Sequence, residues 1–533
     1  MFSGFFWPLL QRIAYSIPSV VSTLHTLPLL TPVLVLVAGF ITFSILSSTV
    51  FAKGSTFTPL RPSISPSVFG TNPALKSGRT AVVVGGGISG VGAAWALEKD
   101  GWEVVVVEAE DVLGGHTTTL PLPDGYTCDP GFQILNPLHY VALLEWFADI
   151  GAKSGIPISL RETENSLSVS SWAQQPNNPN SNSSSNGGGW ASCASYTGLL
   201  SILMARGKRF ITMMLDMRRF HAQAESILDG PDMSVASFVS AYKYSDPFLN
   251  DYLVPCVASL WSCTPEGAAA CSIHFVIRFF ANHHMLTIFA RPVWYTIVGG
   301  SSTYLKAYQA ITQAQIRTST RVASLSALPR PVYDEEGYAW EVQTTDGDRI
   351  QAHAVVLATH SSTSKAILEA SAASLQTRIG VSRMHGALSV LSKLPYYASR
   401  VYVHTDASLM PPDRALWASW NSVSLPSGDT VCSYYWNKLQ APDYPHGDIF
   451  VTVVPHACSD AALPDPKLCI RDAPFDWEHP AMDVEAVAAR QVADAMLQHP
   501  RSGLVLAGAW LGNGFHEAGF ESGLRAAFLL RRS

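Results

Sequence analysis

Residues 80–118 read TAVVVGGGISGVGAAWALEKDGWEVVVVEAEDVLGGHTT. An apolar strand, 81–84, runs into Gly85-x-Gly87-x-x-Gly90. A helix follows, then a second apolar strand ending at Glu108. This is the context a dinucleotide fingerprint requires. The first glycine allows the tight turn, the second lets the backbone approach a pyrophosphate, and the third lets helix and strand pack closely. The helix start offers free N–H groups and a positive dipole end to phosphate. Glu108, 18 residues after Gly90, is placed to accept hydrogen bonds from a ribose. An acid there favours a plain ribose over a 2′-phosphate.

Further glycine signals extend this reading. Leu113-Gly114-Gly115-His116-Thr117 follows the acid, then Asp129-Pro130-Gly131-Phe132. Near the C-terminus come Leu504-Val505-Leu506-Ala507-Gly508, Gly512-Asn513-Gly514-Phe515-His516-Glu517-Ala518-Gly519, and Glu521-Ser522-Gly523. A fingerprint with a Gly-Gly turn after the acid, closed by a distant strand–glycine–helix unit, resembles the FAD-binding amine oxidase and carotenoid desaturase superfamily. The resemblance runs from about Arg79 to the end. The nearest likeness is to a subgroup of NAD/FAD-binding oxidoreductases, carried by Phe279-Phe280-Ala281-Asn282-His283, Trp417-Ala418-Ser419-Trp420-Asn421, Tyr435-Trp436-Asn437 and Gly514-Phe515-His516-Glu517. Some relatives there are associated with modification of branched or cyclopropane fatty acids.

The implied fold is α/β. A discontinuous Rossmann-like FAD domain is expected over 79–150, 295–365 and 496–533. An α+β substrate domain takes 151–294 and 366–495. By resemblance, Gly299-Gly300 starts a helix, and Val322 gives adenine a backbone contact. The implied cofactor is FAD, held without a covalent bond, because the Ser-Gly-Gly-Cys string of cysteinyl-flavin enzymes is absent. Cofactor contacts are expected from Gly85, Gly87, Gly90, Glu108, Gly114, Gly115, His116, Val322, Gly508, Gly514 and Phe515. The helix starting near Glu517 is expected to aim its positive end at the flavin, where negative charge gathers on reduction. His516, Glu517, His283 and Asn282 are the polar candidates for substrate chemistry. Competing roles are helix caps and satisfied loop imidazoles. Trp417, Trp420, Tyr434, Tyr435 and Trp436 suit either an apolar substrate slot or plain core.

Composition adds constraints. Hydrophobic residues make up 47% of the 533 and charged residues 14%, against about 25% charged in a typical soluble protein. Net charge is −6 with no basic run, which excludes a nucleic-acid-binding surface. Eight cysteines are scattered without C-x-x-C, so neither zinc nor a disulfide framework is indicated. Residues 32–52, PVLVLVAGFITFSILSSTVFA, carry no charged side chain and as a helix span about 30 Å. They predict a single-pass membrane anchor within 1–53, with a Ser/Pro-rich tether at 54–78. Lys53 and Arg61 beyond it favour a cytosolic catalytic part. A cleaved signal peptide is the competing reading. Residues 173–189, AQQPNNPNSNSSSNGGG, read as a disordered insertion.

The activity implied is a membrane-anchored FAD oxidoreductase that takes hydride from an apolar, lipid-like substrate. The single fingerprint makes NAD(P)H an unexpected co-substrate, leaving oxygen or a quinone as acceptor. An amine oxidase is the second enzyme reading. A binding protein resembling GDP-dissociation inhibitors is a third, disfavoured by the intact glycines. Oligomeric state is not encoded in any of these signals.

Overall fold

The computed structural model describes residues 64–70, 78–171, 189–192, 196–286, 292–328, 339–379, 381–411, 413–424, 430–459, 463–497 and 502–531. The expected membrane span lies outside these residues, as does the insertion at 173–189 apart from its last glycine. Of the expected tether, 64–70 and Gly78 are described, and the first stretch is not a free linker: Pro66–Val68 form a 3-10 turn and Phe69 is buried in the core. Among the described residues no helix is long and apolar enough to cross a membrane. The chain divides into two compact units, 59–283 with 292–533, and 1–58 with 284–291. Only 284–286 of the second are described, and they lie in a turn. Everything below concerns the first.

Its centre is a five-stranded sheet of β1 (Thr80–Val84), β2 (Glu103–Val107), β3 (Gln315–Arg317), β4 (Ala354–Leu357) and β5 (Leu504–Leu506), in the order β5-β4-β1-β2-β3. Every pairing is parallel, with Ala81 opposite both Val104 and Ala354. Parallel strands covered on both faces read as continuous apolar runs. That is why TAVVV and EVVVV are buried beyond their first residue. The sheet thus collects strands from three distant stretches of chain.

One face is covered by α1 (Ile88–Lys99), α2 (Val141–Ser154), α4 (Ser302–Gln309) and α5 (His516–Leu530), with α3 (Ile273–Asn282) elsewhere in the same unit. Helices α1 and α5 approach so closely that three positions admit only glycine. A Cβ on Gly523 would collide with the Ser89 carbonyl, one on Gly519 would sit 2.8 Å from Ile88, and one on Gly92 2.8 Å from Phe520. The far end is fastened by Arg531, whose guanidinium pairs with both oxygens of buried Asp100 and donates 2.8 Å to the Val68 carbonyl.

The second large sheet has seven strands, in the order Phe475–Pro480, Tyr396–His404, Phe450–Pro455, Thr430–Tyr435, Trp420–Ser424, Leu167–Ser171 and Trp190–Ala191. A three-stranded meander, Val322–Ala327, Trp340–Thr344 and Arg349–Ala352, lies beside the nucleotide sheet and shares its second core.

β3 and Val322–Ala327 follow closely in the chain but belong to different sheets. Ser319 takes a left-handed turn at φ +50° between them, and the Ser319 and Thr320 N–H groups bond back to the carbonyls of Glu110 and Glu108. The long helix Tyr196–Ile227 breaks at Gly207, whose φ of +44° no helix interior permits. Among the described residues Cys128, Cys256, Cys263, Cys271, Cys432 and Cys458 are buried free thiols and Cys469 is a half-exposed one.

Replacing Gly523 by alanine is expected to lower unfolding free energy by about 2–3 kcal/mol. Urea denaturation with an unchanged slope is the readout; an unaltered midpoint would show that the helices can move apart.

Candidate functional site

The elbow after β1 assigns a separate task to each glycine. Gly85 sits at φ +100°, donates 2.8 Å to the Val107 carbonyl, and could carry no Cβ, which would lie 2.7 Å from the Ala358 oxygen. Gly90 abuts the Gly85 carbonyl, where a Cβ would collide. Gly87 is the opposite case. It is the N-cap of α1, and a Cβ there would meet nothing within 4 Å. The backbone at the helix start therefore faces open space, which is what an approaching diphosphate needs.

Gly86, the unassigned position of the motif, was missed by the sequence reading. Its N–H donates 2.6 Å to Glu108 Oε2, while Glu110 N–H donates 2.9 Å to Oε1. Glu108 thus braces the elbow as well as standing where a ribose acid belongs. Each oxygen keeps a lone pair for a ligand hydroxyl. Gly114 closes onto the same elbow: its N–H donates 3.0 Å to the Gly86 carbonyl, and Gly115 at φ +58° lies against Gly87. Val322 is buried at the start of its strand, two residues past the Thr320–Glu108 bond.

The Gly-Gly turn before α4 is held by a buried carboxylate. Asp129 accepts from Ser301 N–H at 2.8 Å, from Ser301 Oγ at 2.9 Å, and from Thr119. Burial pushes its pKa up to about 6 in spite of those donors.

The C-terminal unit lies directly on this elbow. Gly508 N–H donates 2.9 Å to Ser522 Oγ. Gly514 turns at φ +88°, and Phe515 N-caps α5. His516, the first residue of α5, is buried. It stacks on Phe132 with ring centres 3.9 Å apart, and its Nε2 is 2.8 Å from Tyr304 Oη, which also bonds Thr117. Burial lowers its pKa to about 3, so the ring is neutral at physiological pH. Phe515 packs 5.0 Å from Phe279 and 5.9 Å from Trp261, whose indole donates 3.1 Å to the Asn513 carbonyl.

Of the polar candidates, His516 and His283 lie in this cluster, His516 bonded to a side chain and His283 to a backbone carbonyl. Glu517 turns away: both oxygens accept from the N-terminal amides of α2, Ala142 at 2.7 Å and Leu143 at 3.1 Å. It therefore caps a helix other than its own. Burial raises its pKa to about 8, against the pull of those two N–H groups. His283 C-caps α3, with Nδ1 2.9 Å from the Phe279 carbonyl and its ring stacked between Phe279 and His139. Asn282 ends α3 half-exposed. Trp417 and Trp436 are buried in clusters of the seven-stranded sheet, their indoles donating to the Pro411 carbonyl and to Gln440. Core packing accounts for them.

Residues 88–530 match the family model described as flavin containing amine oxidoreductase. Among solved structures, a candidate protoporphyrinogen oxidase from Exiguobacterium sp. 255-15 is 15% identical with a TM-score of 0.56, covering 85% of this chain and 99% of its own. Putrescine oxidase bound to putrescine is 16% identical at 0.54, covering 85% and 99%. A CLA-producing fatty acid isomerase from P. acnes is 14% identical at 0.54, covering 86% and 99%. These likenesses show a shared fold. A protein from Methanothermococcus thermolithotrophicus, described as an uncharacterized protein in nifH2 3'region, is 47% identical over 58 residues, 11% of this chain and 55% of that relative.

Two outcomes test the site. Gly87→Ala is expected to fold normally but to lose FAD affinity at least about tenfold, whereas Gly90→Ala loses stability first; fluorescence titration with FAD and thermal melts separate the two. For Glu517, a folded pKa raised from 4.5 to about 8 means the folded state takes up a proton. Its contribution to stability is present below about pH 4.5 and lost as pH rises through 8. Glu517→Gln should flatten that part of the stability–pH curve; an unchanged slope would place the titration elsewhere.

Proposed function

Because the chain belongs to the flavin containing amine oxidoreductase family, we propose that this FAD-dependent oxidoreductase oxidises or desaturates an apolar, lipid-like substrate while tethered to a membrane. FAD is held without a covalent bond. The observation that carries the substrate class is the wall at the start of α5. Phe132 stacks on His516 there, Phe515 before it packs against Phe279 and Trp261, and the His516 ring is neutral. The carboxylate that a substrate ammonium would need is not on offer, since Glu517 is spent on the amides of α2. The tether is supported by the uncharged run at 32–52.

Bound FAD supplies a two-electron acceptor for hydride, with oxygen or a quinone as the final oxidant. The protein's part is physical. The open face of Gly87 and the free N–H groups of α1 hold the diphosphate. Aromatic side chains exclude water. The positive end of α5 stabilises negative charge placed before it. His516 acts as an orienting partner through the Thr117–Tyr304–His516 chain of hydrogen bonds. Its suppressed basicity makes it a poor proton acceptor.

Detergent-purified holoenzyme should lose its oxidised-flavin absorbance when mixed anaerobically with lipid extracts or long-chain unsaturated acids. Bleaching by putrescine or aromatic amines, with none by lipids, would overturn the substrate class and leave the amine oxidase reading.

A further inference from the structure

Three imidazoles stand together outside the carboxyl ends of the central strands and take no part in the chemistry above. His116 follows the Gly114–Gly115 turn against the elbow. His360 comes three residues after β4 and precedes the helix Ser361–Ala370. His479 comes from the edge strand Phe475–Pro480 of the other large sheet. The His116 ring centre is 6.2 Å from that of His360, 5.7 Å from His479 and 5.0 Å from Trp477. Ligands of open parallel sheets bind in the crevice beyond the strand ends, and His116 and His360 follow the carboxyl ends of β2 and β4.

Their nitrogens lack the partners that buried polar atoms normally have. His116 Nε2 and His479 Nδ1 are buried with no hydrogen bond. The other groups facing the cluster do not supply one. Glu478 bonds His360 Nδ1 at 3.2 Å, Tyr396 stacks on His360, and His516 holds Tyr304. One orphaned nitrogen follows the Gly115 turn that lies against Gly87, the other comes from the edge strand of the second large sheet, and both suit an anion that offers acceptor oxygens.

We propose that His116, His360 and His479 form the anion-facing wall of the dinucleotide site, and that the FAD diphosphate enters with uptake of one proton by this cluster. Burial and the neighbouring imidazoles lower the His116 pKa, and burial lowers that of His479 to about 4, so these two rings are neutral. A diphosphate brought against them favours the charged imidazolium and supplies acceptors for the orphaned nitrogens. One proton serves the group, because a second would meet the first at close range.

The complex then carries one more proton than its parts. Affinity for FAD must fall as pH rises, by up to about tenfold per pH unit through the window of uptake. Calorimetric titration of the full-length apoprotein at pH 7, in two buffers of different ionisation enthalpy, counts the protons directly. About one is expected with FAD, and the same with ADP-ribose, which carries the doubly esterified diphosphate without the flavin. His116→Gln and His479→Gln should each reduce the uptake and flatten the affinity–pH profile; His360→Gln stands in for a variant that fails to fold. No uptake by the wild type, or equal uptake in the variants, overturns the proposal. Uptake with FAD but none with ADP-ribose overturns the assignment to the diphosphate. The inference rests on FAD binding and not on the substrate: a protein that binds FAD without taking up a proton loses only this inference.

Discussion

The contact on which the molecule depends is the glycine-lined seam between α1 and α5. Gly92, Gly519 and Gly523 let two helices from opposite ends of the sequence touch backbone to side chain and backbone to backbone. That seam fixes where α5 begins. It thereby sets Phe515 and His516 beside the elbow, brings Ser522 to Gly508, and places Glu517 under the amides of α2. Larger side chains would move the start of α5 away by roughly the width of a methyl group or more, and the polar network at its tip would have nothing to meet.

A second theme is how buried charge is spent. Asp129 and Glu517 are both carboxyls in dry surroundings with raised pKa values. Each answers backbone N–H groups at the start of a helix, Ser301 before α4 and Ala142 and Leu143 in α2. Both hold framework elements that frame the site, so a perturbed pKa here marks architecture more than chemistry. His516 differs: its partners are side chains, and its ring lies among aromatics.

The nucleotide half was legible because its rules are local. Glycine at 85, 87 and 90 is dictated by sterics within a few residues, and the structure gives the three positions the distinct surroundings that the spacing predicts. The rest depends on contacts between residues far apart in sequence. The Asp129–Ser301 latch spans 172 positions and the Glu517–Ala142 bond 375. No periodicity reports such pairs. Nearness of Glu517 to the glycine-rich tip suggested chemistry or a cap on its own helix, and only the fold reveals the second helix that it serves. The aromatic zone at 417–436 stayed open between slot and core for the same reason, since strand patterning cannot say which sheet face meets a cavity and which meets core.

The Arg531–Asp100 clasp has a consequence for biogenesis. The elbow and α1 leave the ribosome far ahead of the helix that covers them. The apolar flank of α1 stays bare over that interval. A nonsense codon only a dozen positions upstream of Arg531 removes most of α5 and would leave an exposed greasy seam for chaperones and proteases to find.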